Sequence, residues 1–229
     1  GFVYVRHDLS EDLLDDAYGR LADFFALPQD RKDRYTVDGA NGQTGYTGLL
    51  VETAAVSDVP DWKEMLNWSA PVPVGHPLRR RFPHRYGDPT LPDDDLPGTT
   101  EVLMEFHRVT LDLQRRVLRI LAVGLGVDEG FFDTMLRDGA ALTRALHYPS
   151  MDLAPGDEHV WAAEHGDINL ITALPRATAS GLQVKTDDGW IAATPPDGHV
   201  IVNTGIMLDH LTQRSPVTAP FRMVSDATT

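Results

Sequence analysis

The 229-residue sequence contains no cysteine, which removes disulfide frameworks, thiolate nucleophiles, zinc ribbons and iron–sulfur clusters together. Any metal must then be held by histidine and carboxylate. A cysteine-free chain also suits a reducing cytoplasm, the expected location. Positive charge is scarce too: 20 Lys and Arg stand against 34 Asp and Glu, a net charge of −14. Such a surface repels phosphate backbones and anionic lipid, so neither nucleic acid nor membrane is expected as a partner. There is no apolar run long enough to cross a bilayer and no charged-then-apolar leader. Missing as well are a glycine-rich phosphate loop, a Gly-x-Ser-x-Gly elbow and a His-Glu-x-x-His pair, so nucleotide, serine-hydrolase and zinc-protease chemistries lack their minimal parts. What remains, 42% hydrophobic and 24% charged residues, is the composition of a globular protein that can organise around one apolar centre. The opening Gly1-Phe2-Val3-Tyr4-Val5 alternates like a strand and carries no initiator Met, which suggests that the natural start lies upstream.

Helical spacing dominates the first part of the chain. Ser10 is placed to cap a helix whose apolar side is Leu13, Leu14, Ala17, Leu21, Phe24 and Phe25, and Pro28 should end it. Residues 36–60 read as loop, and Trp62-Lys63-Glu64-Met65-Leu66 begins a short ordered segment. The proline-rich stretch 71–98, with Arg79-Arg80-Arg81 and Asp93-Asp94-Asp95, reads as a surface connection. The strongest helix carries Val102, Phe106, Val109, Leu113, Val117 and Ile120, stops at Gly124 and Gly126, and should pack on a sheet. A shorter one, Asp128 to Leu136, is expected to bury Phe131, Phe132 and Met135.

Beyond Gly139 the period becomes strand-like: Leu142–Tyr148, Glu158–His165, Asn169–Leu174, Gly181–Thr186, Trp190–Thr194, Val200–Asn203 and a last stretch from Val217. Asp187-Asp188-Gly189 is a hairpin turn of the kind that needs positive φ, with Trp190 in the hairpin core. Six or seven short strands after a helical half give an α+β protein, mainly β, with a sandwich or barrel. One domain over 1–229 is expected, helix-rich over 1–139 and β-rich over 140–229.

The chemically informative segment is Glu164-His165-Gly166-Asp167-Ile168-Asn169. A His and an Asp two residues apart can turn both side chains to one side of a strand end, with Gly166 leaving room for a metal. Imidazole and carboxylate are two members of the facial triad of non-haem Fe(II) oxygenases; a plain surface strand end is the competing reading. After the His-x-Asp come Gly181-Leu182-Gln183-Val184, Asp188-Gly189-Trp190, the run from Gly198 to Gly205, and Met207-Leu208-Asp209-His210-Leu211-Thr212. Upstream stand Gly1 to Val5, Gly45-Tyr46, Lys63-Glu64 and His147-Tyr148-Pro149. In this order the segments resemble the isopenicillin N synthase-like branch of the iron(II)/2-oxoglutarate-dependent oxygenases over nearly the whole chain.

The resemblance implies a double-stranded β-helix (jelly roll) over 140–229, buttressed by the N-terminal helices, with Fe(II) on His165 and Asp167. It implies 2-oxoglutarate as co-substrate, O2 as oxidant and a small-molecule substrate, hydroxylated, desaturated or cyclised in amino-acid or specialised metabolism. Tyr148 matches a position that offers a phenol to a carboxylate, and Arg144, on the same strand face, is the companion candidate for the co-substrate. An oxidase that uses no 2-oxoglutarate, as isopenicillin N synthase is, and an inactive small-molecule-binding relative are the alternatives.

The pattern departs at the third ligand. Where the family has His-Arg-Val, this chain reads Phe221-Arg222-Met223-Val224: either Phe221 stands in the ligand position or a histidine is missing between Phe221 and Arg222. The Arg-x-Ser that would grip the distal carboxylate of 2-oxoglutarate has no match before Thr229. Three readings stay open: absent residues, which is preferred; two protein ligands completed by water, chloride or another side chain; or lost turnover. His210 reads as a surface or packed histidine, His159 as a turn histidine, and the Arg79-Arg80-Arg81 run as a solvated loop.

Overall fold

The computed structural model describes residues 1–213 and 218–225. In chain order these form β1 (Phe2–Arg6), α1 (Glu11–Phe25), α2 (Gln29–Lys32), β2 (Gly45–Thr47), β3 (Glu64–Trp68), α3 (Pro77–Arg81), α4 (Pro83–Tyr86), α5 (Thr99–Gly124) and α6 (Phe131–Leu136). They continue as β4 (Thr143–His147), β5 (Ala162–His165), β6 (Ile171–Leu174), β7 (Leu182–Thr186), β8 (Gly189–Ala192), β9 (His199–Thr204), α7 (Ile206–Leu211) and β10 (Phe221–Met223). The switch from helical to strand period falls after Gly139 as expected. Val217, the expected start of the last strand, lies outside the described residues, and that strand begins at Phe221.

The chain divides into two compact units, one of residues 1–8, 49–63 and 148–229, the other of 9–48 and 64–147. This membership differs from a cut at 139/140: β1 joins the late strands and β4 joins the helices. Periodicity reveals that a segment is a strand but not which distant strand completes its hydrogen bonds.

The first unit holds two antiparallel sheets, ordered β1-β9-β6 and β5-β10-β7-β8. Strand β9 is central, paired with β1 (Val3 opposite Val202) and with β6 (Ala173 opposite Val202). Flanked on both edges, its Val200, Ile201 and Val202 are buried at 0%, 2% and 3% exposure; each such side chain contributes about 1.5–3 kcal/mol by leaving water. Phe2 of the first sheet meets Phe221 of the second edge to face, ring centroids 5.8 Å apart, so the two sheets share an apolar layer. The hairpin β7–β8 turns at Asp187-Asp188 with Gly189 at φ 114°, the positive value expected. Trp190 is a correction: it is half-buried, lying beneath the Arg222 guanidinium at 4.3 Å and near Lys185 Nζ at 5.6 Å, a cation–π platform rather than a core residue.

The second unit packs α1 against α5 and α5 against α6, beside the sheet β2-β3-β4. Helix α1 begins as expected, with Ser10 Oγ accepting from Leu13 N at 3.3 Å, and buries Leu14, Ala17, Leu21 and Phe24. Helix α5 packs against α1 and α6 and is tied to the sheet β2-β3-β4 by Trp68 Nε1 donating to Leu103 O at 3.1 Å and by His107 Nδ1 lying 2.7 Å from Thr143 Oγ1. Its Ile120 is exposed, while Leu103 and Leu118 join the buried side. In α6 only Phe132 is buried, and Asp128 holds the preceding turn by accepting from Gly130 N. The acidic run is not merely solvated. Asp93 accepts from Gly98 N and Thr100 N and so caps α5, whereas Asp95 pairs with Arg31 and takes the Tyr35 hydroxyl at 2.6 Å.

Candidate metal centre

His165 closes β5, and its Nδ1 lies 2.7 Å from Ala163 O. A carbonyl oxygen only accepts, so Nδ1 carries the hydrogen and Nε2 keeps its lone pair, the tautomer that a metal ligand requires. The strand segment is itself anchored from a buried ion pair. Asp61, 2% exposed, accepts from Ala163 N at 2.9 Å through Oδ1 and from Lys63 Nζ at 2.7 Å through Oδ2. Lys63 Nζ also reaches Glu52 Oε2 at 2.9 Å. Asp61 and the His165 ring thus bond the backbone of the same residue, Ala163, Asp61 through its N–H and His165 through its carbonyl, with Lys63 paired to Asp61 behind. The sequence reading missed Asp61. The signal was present as Asp61-Trp62-Lys63, two opposite charges spaced to share one face of extended backbone.

Asp167 follows in the turn between β5 and β6. Its Oδ2 accepts from Asn203 Nδ2 at 2.9 Å and from the Thr172 hydroxyl, which leaves Oδ1 as the oxygen available to a metal. The turn is pinned from the other side by Ile206 N donating to Asp167 O at 2.7 Å and Gly205 N donating to Leu170 O at 2.8 Å. Gly205 is required by this close approach, because a Cβ there would collide with the Asn169 carbonyl oxygen. Two buried polar atoms around the turn lack a hydrogen-bond partner, Asn203 Oδ1 and Thr218 Oγ1; the Thr218 methyl lies 3.5 Å from where a Cβ on Gly166 would stand. Orphaned buried acceptors and donors carry a cost that a bound group can relieve.

On the third side, β10 lies between β5 and β7, with Phe221 opposite both His165 and Val184. Its ring centroid is 4.4 Å from that of the His165 imidazole. Thus Phe221 itself takes the register opposite the metal-strand histidine, and β10 runs Phe221, Arg222, Met223 against Val184, Gln183, Leu182 without a gap. Imidazole and carboxylate are donor types that suit a divalent ion; a phenyl ring is not. No group of three or more His, Asp or Glu capable of holding a metal occurs among the described residues.

The other expected site residues are placed as follows. Tyr148 is half-buried with its ring 5.7 Å from that of Trp161. Arg144, on β4 in the second unit, donates from Nε to Asn67 Oδ1 at 2.8 Å and from Nη2 to Gly42 O at 3.4 Å. His159 is not an exposed turn residue: its side chain is 9% exposed and its Nδ1 meets Pro60 O at 2.9 Å. His210 is exposed on α7.

The chain is similar to known proteins along most of its length. The family model described as non-haem dioxygenase in morphine synthesis, N-terminal, matches residues 1–92. Kihadalactone A synthase of Citrus sinensis is 30% identical over 92% of this chain and 65% of its own length. The chain spans less than two thirds of several curated relatives it matches, 64% of an iron/ascorbate oxidoreductase from Dictyostelium discoideum being a further case. The structure of Neurospora crassa T7H in complex with alpha-KG and thymine superposes with a TM-score of 0.80 at 28% identity, covering 98% of this chain and 70% of that one. A 2OG-Fe(II) oxygenase family protein from Caulobacter crescentus gives a TM-score of 0.83 at 32% identity, covering 98% of this chain and 71% of that one. The expected α+β, mainly β, double-stranded β-helix is the fold of these neighbours. With the His-x-Asp turn in place and this likeness along the chain, the protein belongs to the iron(II)/2-oxoglutarate oxygenase family, whose isopenicillin N synthase-like branch its motifs resemble.

Proposed function

We propose that the protein is an Fe(II)- and 2-oxoglutarate-dependent oxygenase that oxidises a small molecule of amino-acid or specialised metabolism. The observation that carries this reading is the presentation of His165 Nε2 and Asp167 Oδ1, each fixed by hydrogen bonds to its other polar atom. Bound iron and co-substrate supply the oxidising power, with hydroxylation, desaturation or cyclisation as outcomes. This chain's residues supply orientation: Asp61 holds β5, Gly205 and Ile206 hold the Asp167 turn, and Phe2 and Phe221 keep one side dry. Tyr148 is proposed to receive the co-substrate carboxylate. Relatives support the substrate class: T7H is seen with thymine and JOX2 with JA. A single oxygenase domain over 1–229 is proposed because the chain crosses between the two units four times, at 8/9, 48/49, 63/64 and 147/148. A cytoplasmic location rests on the cysteine-free composition. None of the described helices is long and apolar enough to cross a membrane.

Phe221 favours a second reading, a relative that binds a small molecule without turning it over. The two diverge in one assay. Anaerobic Fe(II) with 2-oxoglutarate should produce a visible charge-transfer band, and succinate should form on admission of oxygen and substrate. A band without succinate from any substrate supports the binding protein, and protein that takes up neither iron nor 2-oxoglutarate rules out the oxygenase.

A further inference from the structure

We infer that Phe221 abolishes the third protein ligand of the metal centre, so that the described residues hold a divalent cation through one imidazole and one carboxylate only. This rests on the oxygenase reading and deepens it. Strand alternation decides the point. Phe221 and Met223 share one face of β10, and Arg222 faces the other way, where its Nε donates to Gln183 Oε1 at 2.9 Å and its guanidinium covers Trp190. A slip of one residue would break both contacts, so the register that presents Phe221 is specified from the β7 side, while the pairing with β5 shifts between Phe221 and Met223. The ring is further locked, being 9% exposed and held between His165 at 4.4 Å and Phe2 at 5.8 Å. A phenyl group has no lone pair to offer a cation, yet it stands where an imidazole would face His165. The side chain thus converts the third face of the site from a ligand to an apolar wall, and more of the cation's coordination shell is left to exogenous oxygen donors such as a 2-oxo acid or water.

The substitution Phe221→His should restore a ligand rather than merely alter packing, and Co(II) alone is the probe. Titration of the wild type, His165→Ala, Phe221→His and Phe221→Ala should show His165-dependent binding, tightened at least about tenfold by Phe221→His and not by Phe221→Ala, since a direct ligand outweighs the 10- to 100-fold effect of an outer partner. Pulsed EPR on Cu(II)-loaded wild type should count one coordinated imidazole, a readout that does not depend on a variant folding. Two imidazoles in the wild type, or equal affinities for wild type and Phe221→His, would overturn the inference while leaving the oxygenase reading intact. Absence of His165-dependent Co(II) binding in every arm would overturn the oxygenase reading itself.

Discussion

Two polar clusters, one in each unit, differ in how completely they are satisfied. In the second unit Glu64, 2% exposed, takes hydrogen bonds from His147 Nδ1 at 2.7 Å, Lys32 Nζ at 2.7 Å and the Tyr46 hydroxyl at 2.5 Å. Burial alone would push its carboxyl up, but the bonds from His147, Lys32 and Tyr46 outweigh burial and hold it below its ordinary value. The Tyr46 phenol is pushed well up, by burial first and by its bond to Glu64 second. In the first unit Asp167 receives both of its bonds on one oxygen, and Asn203 Oδ1 and Thr218 Oγ1 are buried without partners. A carboxylate whose acceptor sites are filled from within fixes structure. One left half-filled among orphaned polar atoms is prepared for something from outside.

The sharpest way to break this contrast is to remove each carboxylate in turn. Glu64→Ala leaves Lys32 buried and unpaired and should cost about 3–5 kcal/mol of stability, read by urea unfolding. Asp167→Ala should change stability by no more than about 1 kcal/mol while removing Co(II) binding. Comparable losses of stability in both variants would erase the distinction. The Glu64 contribution has a defined pH window. Its folded value is depressed, so the stabilisation is complete above the ordinary value of 4.5 and is lost as pH falls through the lower folded value.

A smaller effect tests the anchoring of β5. Asp61→Asn keeps the acceptor for Ala163 N but loses the ion pair with Lys63, and should weaken Co(II) binding about 10- to 100-fold through misplacement of His165. Unchanged affinity would confine Asp61 to stability. The smallest expected effect belongs to His107, buried at 3% exposure with Nδ1 2.7 Å from Thr143 Oγ1. Burial first and Arg115 second hold its imidazole below the ordinary 6.5. The unfolded chain therefore binds a proton that the folded one resists, so stability is full above that value and declines as pH falls through the folded value. His107→Gln should flatten this shallow slope in thermal melts between pH 5 and 7.

Of the candidate metal centre, the His165–Asp167 pair was legible in local sequence. A His-x-Asp at the end of a strand needs no distant partner to point both groups one way, and the ordered turns behind it carried the family likeness. Asp61 escaped because its importance lies in a bond to Ala163, 102 positions away. The short helices α2, α3 and α4 and the three-residue strand β2 escaped for a different reason: each is too brief to show a period.

Sequence by itself indicated the types of the longer elements, the change from helical to strand period after Gly139, the absence of cysteine ligands and His165–Asp167 as the candidate pair, because these depend on neighbours along the chain. Tertiary structure alone decided that β1 completes a sheet with β9, that Asp61 bonds the strand bearing His165, and that Phe221 lies opposite His165 across β10 and β5. Those facts depend on cross-strand register, and register is set by hydrogen bonds and burial between segments whose separation in sequence no local pattern records.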